Sequence, residues 1–258
     1  MMEERHGAVV LGAGNVATSL VPALDAAGIA VRQIYSRTPA KAAALAASVG
    51  AEAVSDFKDI AHDADIYIVC LADNAIAPAA QALAGTGGLW MHTSGGTPAD
   101  ALAPATSTYG VLYPLQTFSA ARALDMRAVP LFTEGCDAET EQRIDTLARS
   151  ISDTVSHAGS PERLRLHAAA VFACNYVNHL WALADIVLKP MNLDIKALSP
   201  LINETLAKAM TMPPAQAQTG PAVRGDSATI ARHLAILPPD LAGIYTTLAD
   251  SIAALRDS

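Results

Sequence analysis

Cysteine is scarce in this sequence, and positive charge is outnumbered. Cys70, Cys136 and Cys174 are odd in number and irregularly spaced, which argues against a disulfide framework or a zinc site. Seventeen Lys and Arg against twenty-five Asp and Glu leave a formal net charge of −8 over 258 residues. That balance argues against a nucleic-acid or anionic-membrane surface. A bound phosphate must therefore be held by local donors against the overall field. Met1–His6 is charged and lacks the apolar core of a signal peptide, so a soluble cytoplasmic protein is expected. Charged residues make up only 16% and hydrophobic ones 52%, proportions that suit a well-packed α/β protein or an oligomer with apolar interfaces. No internal repeat or low-complexity tract stands out beyond Ala-richness.

What is present is a strand–helix alternation over the first 158 residues. Strand patterns fall at Gly7–Leu11, Ile29–Tyr35, Ala51–Val54, Asp65–Leu71, Leu89–Thr93, Tyr109–Leu112, Ala128–Phe132 and Thr154–His157. The run Asp65–Leu71 is continuously apolar, as expected of a parallel strand covered on both faces. Gly28 suits a helix C′ position, Thr38 with Pro39 a helix start, and Asp56–His62 a further helix. This regularity predicts an α/β fold with a parallel, doubly wound sheet. After Ser160-Pro161 the strand patterns stop. Helices are expected from Ser160 to about Leu188 and over Asp194–Met210, Asp226–Leu237 and Pro239–Arg256. The domains are therefore read as a nucleotide-binding domain over 1–158 and an all-helical domain over 159–258.

Leu164–Leu188 is long and apolar enough to resemble a membrane span. It carries Arg165, His167, Asn175, Asn178, His179 and Asp185, and a central Asp alone costs roughly 2.5–3.5 kcal/mol on insertion. A helix buried within protein is the expectation, with no membrane partner. Being apolar around most of its circumference, it needs cover on nearly all sides. A homodimer through the helical domain would supply that cover.

The first strand feeds Gly12-Ala13-Gly14-Asn15-Val16-Ala17, a G-x-G-x-x-A turn opening a helix. Gly12 permits the tight turn and Gly14 lets backbone approach a pyrophosphate. Ala17 keeps the helix close to the sheet, and the helix N-terminus offers free N–H groups to the phosphates. The second strand ends in Ser36-Arg37-Thr38, where a chain selecting NAD places an acid. A guanidinium stands there instead and suits a 2′-phosphate, so the expected cofactor is NADP. Charge-assisted hydrogen bonds contribute roughly 1.5–3 kcal/mol each, so removing Arg37 should cost ten- to a hundredfold in affinity.

Leu71-Ala72-Asp73 ends the fourth strand and is expected to touch the ribose and nicotinamide side, with Asp73 either a ligand contact or a helix cap. His92-Thr93-Ser94-Gly95 ends the fifth. Thr93 suits the nicotinamide edge and Ser94 a substrate polar group, while His92 is either a site residue or a hydrogen-bonded core residue. At 100° per residue, His167, Val171, Cys174, Asn178 and Trp181 share one stripe of the long helix, with Asn175 about 80° away. Such convergent polar groups mark either a cleft wall or an interhelical network. His179 falls on another face and reads as structural. In the loop Gln216–Asp226, Arg224 suits either a substrate carboxylate or Asp226 and a helix end.

The stretches GAGNVA (12–17), YSR (35–37), HTSG (92–95), YPLQTF (113–118), RLHAAAVFACNYVNH (165–179) and QTGPAVRGD (218–226) carry a resemblance. The chain resembles Rossmann-like proteins with a C-terminal helical domain of unknown function, often described as similar to deazaflavin-dependent NADP oxidoreductases. More distantly it resembles pyrroline-5-carboxylate reductase, ketopantoate reductase and the β-hydroxyacid dehydrogenases. The resemblance implies NADP binding, a helical, dimerising second domain and an active site in the cleft between the domains. β-Hydroxyacid dehydrogenases use Lys-x-x-x-Asn on their first long helix. If Asn175 matches that Asn, Val171 occupies the Lys position, and His167 is the nearby substitute. Nothing in the sequence identifies a deazaflavin site.

The resulting expectation is an NADPH-dependent reductase of a small carbonyl or imine substrate. His167 would act as proton donor, or orient one, since an imidazole titrates near neutral pH. Asn175 and Asn178 would orient the substrate, Ser94 would touch its polar end, and Arg224 would clamp a carboxylate. The alternative is a non-catalytic NADP(H)-binding protein that reports redox state or binds a partner.

Overall fold

The structure, a computed structural model, describes residues 7–122 and 124–256; Met1–His6, read above for a leader, lies outside them. Eight strands form one sheet: β1 Ala8–Leu11, β2 Val31–Tyr35, β3 Glu52–Val54, β4 Ile66–Val69, β5 Leu89–His92, β6 Tyr109–Pro114, β7 Leu131–Gly135 and β8 Val155–His157. Their order is β3-β2-β1-β4-β5-β6-β7-β8. The six strands from β3 to β6 pair in parallel, crossing over where β1 lies beside β4. In open α/β sheets, ligands bind at the carboxyl ends of the strands beside such a switch point.

The doubly wound, parallel-dominated sheet is as expected, and one pairing departs from the parallel pattern. β7 runs antiparallel to β6, with Gly110 opposite Gly135 and Pro114 opposite Leu131, and β8 then runs parallel to β7. Between β6 and β7 the described residues form an isolated bridge between Ser119 and Arg122 and a 3₁₀ turn at Met126–Ala128. Parallel neighbours are usually joined by a crossover helix; here the chain returns alongside the strand it left. The seventh strand accordingly begins at Leu131 rather than Ala128.

Helices α1 (Asn15–Ala26), α2 (Pro39–Ala47), α3 (Asp73–Ala82) and α4 (Ala138–Ile151) flank the sheet. Period-2 alternation drives the layering. Val10, Ile34 and Ile68 pack with Leu20 and Leu24 on one face. Val9, Leu11 and Val69 pack with Ile76 and Leu83 on the other. Gly28, at a φ of 79°, follows α1 in the left-handed region, as the sequence predicts. Thr38 is the N-cap of α2 with Pro39 in its first turn. The helix expected over Asp56–His62 is only a 3₁₀ turn, Phe57–Asp59, where the Asp56 carboxylate accepts from the Lys58 N–H.

The long helix runs from Ser160 to Met191. It comprises α5 (Ser160–Ala170), a π segment (Val171–Tyr176), α6 (Val177–Leu188) and a 3₁₀ end. Its N-cap is Gly159, and the Ser160 hydroxyl and N–H both donate to Glu134. By length and composition it could cross a bilayer, with a mean hydropathy of 1.3. Helices α7 (Ser199–Thr211), α8 (Pro214–Ala217), α9 (Pro221–Arg224), α10 (Ser227–Ile236) and α11 (Pro239–Arg256) complete the chain.

Packing divides the chain into two units, Met1–Phe172 and Ala173–Ser258. The division falls inside the long helix, beyond the change of texture at residue 159. The reason is local: the first turns of that helix carry Arg163 and His167, whose side chains bond to the sheet and its loops.

Candidate functional site

The glycine turn after β1 is built around a close approach. Gly12 has a φ of 124°, and a Cβ there would lie 2.3 Å from the Cys70 carbonyl oxygen. Only glycine meets both conditions. A Cβ at Gly14 would meet nothing within 4 Å, so the backbone is bare on that side. Gly12, Ala13, Gly14, Ser36, Arg37, Thr38, Lys41, Cys70, Leu71 and Ala72 line one cavity. Arg37 and Lys41 are exposed and make no ion pair among the described residues. Two unpaired cations on one small cavity, in a chain of net charge −8, are a donor set for a phosphate dianion. The Ser36 hydroxyl accepts from the Thr38 N–H at 3.2 Å, shaping the turn between them. Bare backbone, helix N-terminus and the two cations fit an NADP molecule.

Asn15 and Val16 open α1. The Asn15 side chain carbonyl accepts from the Ala120 N–H at 3.1 Å and ties the loop after β6 to this helix start. Asp73 is the first residue of α3, whose N-cap is Ala72. Burial pushes the Cys70 thiol up to about 12, so it lines the cavity as an unreactive neutral group.

Beside this cavity the loop after β5 is locked from inside. His92 is fully buried; its Nδ1 accepts from the Ser94 N–H at 3.1 Å and its Nε2 lies 3.2 Å from the Pro98 carbonyl. Burial, with the nearby Arg163 charge, pushes it down from the usual 6.5 to about 4. His92 is thus the hydrogen-bonded core residue of the two readings. Thr93 is buried, and its N–H donates to Val69 at 3.1 Å. The Ser94 hydroxyl accepts from the N–H groups of Gly96 and Thr97 and bonds the Thr97 hydroxyl at 3.0 Å. It closes its own loop.

Arg163, 1% exposed, is the strut beneath. Its guanidinium forms an ion pair with Glu134 and donates to the carbonyls of Ser94 at 3.2 Å and Thr97 at 2.5 Å. A buried arginine so fully paired is held rigidly, and losing either partner would leave an uncompensated charge.

One helical turn after Arg163, His167 reaches the same loop. A Cβ at Gly95 would lie 2.6 Å from His167 Nδ1, so the glycine is the slot in which the imidazole sits. The Tyr113 hydroxyl lies 3.1 Å from that Nδ1, with the rings edge to face at 6.0 Å. Among the described residues of this unit, none makes a hydrogen bond to His167 Nε2. The phenol and imidazole stand at the carboxyl end of the parallel strands, the edge that carries the glycine turn.

The helical unit holds the remaining candidates. Asn175 lies in the π segment and Asn178 in the first turn of α6, both exposed or nearly so. The regular 100° stripe from His167 through Asn178 therefore needs correction, because a π turn takes more residues and shifts everything after it. Arg224 ends α9, and Asp226 caps α10 through the Thr229 N–H at 3.0 Å. Lys41, Tyr113, Glu134 and Arg163 escaped the sequence reading. Tyr113 begins the YPLQTF stretch and offered a signal; Glu134 and Arg163 are far apart in sequence and offered none.

Comparison with known proteins bears on these features. Residues 8–88 match the family described as NADP oxidoreductase, coenzyme F420-dependent. Residues 129–252 match a domain of unknown function (DUF2520). No functionally curated protein matches the chain. A Bacteroides fragilis protein of known structure, provisionally named an NADP oxidoreductase, is 39% identical over 96% of this chain and 97% of its own, with a TM-score of 0.90. A Thermotoga maritima protein is 20% identical over 97% of this chain and 100% of its own, with a TM-score of 0.78. A reductive aminase from Aspergillus terreus, solved with NADPH and ethyl-5-oxohexanoate, is 18% identical over 97% and 98%, with a TM-score of 0.70. The last two likenesses establish the fold.

Proposed function

Because the chain belongs to the family of Rossmann-like NADP oxidoreductases with a C-terminal helical domain of unknown function, we propose that it is an NADPH-dependent reductase of a small carbonyl or imine substrate. The observation that carries this reading is the cavity shared by the bare Gly12–Gly14 backbone and the unpaired Arg37 and Lys41. Arg37 and Lys41, with the hydroxyls of Ser36 and Thr38, would hold the 2′-phosphate. Gly12 to Val16 would hold the pyrophosphate, and Leu71, Ala72, Asp73 and Thr93 would lie toward the ribose and nicotinamide. Bound NADPH supplies a hydride. The chain's own part is to fix that cofactor and to hold a proton at the substrate heteroatom. His167 is the group for this, since one ring nitrogen is anchored at Tyr113 and the other lacks a partner among the described residues of its unit.

Two measurements test the reading. Calorimetric titration should find NADPH bound more tightly than NADH. Reduced nicotinamide absorbance should fall with at least one member of a panel of keto acids, aldehydes and cyclic imines, and His167→Asn should slow that turnover at least tenfold. Binding without turnover across the panel would favour a redox reporter. No binding of either coenzyme would end the proposal.

The same reading includes a cytoplasmic homodimer joined through the helical units. In Ala173–Ser258 the buried hydrophobic residues among those described are Leu188 and Leu241. Leu201 is 64% exposed, Met210 74% and Leu206 57%. Two buried side chains cannot offset the entropy of ordering such a unit, and a second copy presenting the same apolar faces would complete its core. The apolar helix is not read as a bilayer span, because Arg163 and His167 on it are bonded into the nucleotide-binding fold. Sedimentation at micromolar concentration should give twice the chain mass.

A further inference from the structure

Tyr113 stands near the end of β6, inside the sheet. It is 7% exposed, and β6 pairs it with Phe132 of β7. Its hydroxyl bonds to His167 Nδ1 at 3.1 Å. Against the imidazole, Gly95 leaves room for the ring and nothing more. Arg163, one turn earlier on the same helix, anchors both that helix and the Ser94–Thr97 loop. The imidazole is therefore held by phenol, glycine slot and helix together.

A neutral imidazole carries one proton on either nitrogen, and the hydrogen bond made by one nitrogen decides what the other presents. We propose that Tyr113 is the positioning residue for His167: its O–H donates to Nδ1, so the neutral ring carries its proton on Nε2 and presents that N–H to the substrate. The inference rests on the reading of His167 as proton-holding group. It adds the residue that sets the tautomer and the ring plane. A phenol suits the task because it donates to an unprotonated Nδ1 and accepts from a protonated one, so the contact survives a change in the ring's charge. Burial pushes the Tyr113 hydroxyl up, with the Arg163 charge opposing and Asp73 adding to the rise. The phenol thus stays protonated and available as a donor at neutral pH.

Nitrogen NMR of protein labelled at histidine tests this without any substrate. His167→Asn identifies the resonances by their loss. In the parent at a pH where the ring is neutral, Nδ1 should appear as the unprotonated, hydrogen-bonded nitrogen and Nε2 as the protonated one. In Tyr113→Phe the hydrogen-bond shift of Nδ1 should disappear. With a substrate in hand, kcat should fall about tenfold, as for a lost hydrogen bond, while NADPH affinity stays unchanged. A parent ring protonated on Nδ1, or an Nδ1 signal that Tyr113→Phe leaves in place, overturns the proposal. Should Tyr113→Phe fail to fold, the parent spectrum still decides. Gly95→Ala gives a second reading, since it must push the ring from its slot and move the same resonance. If the pair is found but His167→Asn leaves turnover intact, the reductase role of His167 falls while the Tyr113 contact stands.

Discussion

The two units of this chain use the same apolar vocabulary to opposite ends. Met1–Phe172 buries strands on both faces and closes its loops with side-chain hydrogen bonds. It also pairs a buried arginine with a half-buried glutamate. Ala173–Ser258 is richer still in Leu, Ile and Met, yet buries almost none of them among the described residues. A polar tie between His233 and Tyr245, 2.8 Å apart, joins α10 to α11, and a mostly apolar groove runs along Leu180, Leu183, Leu241 and Ile244. Hydrophobic content thus does not say how a region is stabilised. The first unit is stabilised within one chain, whereas the second leaves most of its large apolar side chains exposed.

The sharpest way to break this contrast is to attack the first unit's strut. Arg163→Met should lower unfolding free energy by roughly 3–5 kcal/mol, because it strands the Glu134 carboxylate and frees the Ser94 and Thr97 carbonyls. Urea denaturation measures it, and adding Glu134→Gln should recover much of the loss. Next in size is acid. His92 is held neutral down to about 4 in the fold but titrates near 6.5 when unfolded. Its contribution is therefore complete above pH 6.5 and is lost as pH falls toward 4, by an amount on the order of 3 kcal/mol. A stability profile should show this slope, and His92→Gln should flatten it.

At the cavity, Arg37→Ala should weaken NADPH ten- to a hundredfold and leave NADH nearly unchanged, as read by titration. An unchanged ratio would turn Arg37 into an ordinary surface residue. The smallest effect belongs to the helical unit. Leu206→Ala should raise the dissociation constant of the proposed dimer roughly tenfold, since each protomer loses an apolar contact worth about 0.7 kcal/mol. If the parent sediments as a monomer, the exposed apolar faces need another explanation and the contrast between the units loses its meaning.

Patterns written in neighbouring residues were legible in the sequence alone. The glycine turn, the strand after it, Arg37 in place of an acid, and Pro239–Arg256 as a helix all depend on residues adjacent along the chain. The misreadings share a cause. The antiparallel β7, the 3₁₀ turn at Phe57–Asp59 and the π segment at Val171–Tyr176 depend on what neighbouring segments demand. A stripe drawn at 100° per residue could not foresee a turn that takes more residues.

By itself, then, the sequence determined the alternation that builds the sheet, the G-x-G-x-x-A turn and the basic residue at the end of the second strand, because each is a local pattern. Tertiary structure alone decided that Arg163 reaches Glu134 and that Tyr113 meets His167 across a glycine slot. Those pairs lie up to 54 residues apart, and only the crossing of strands at the sheet edge brings their donors and acceptors within reach.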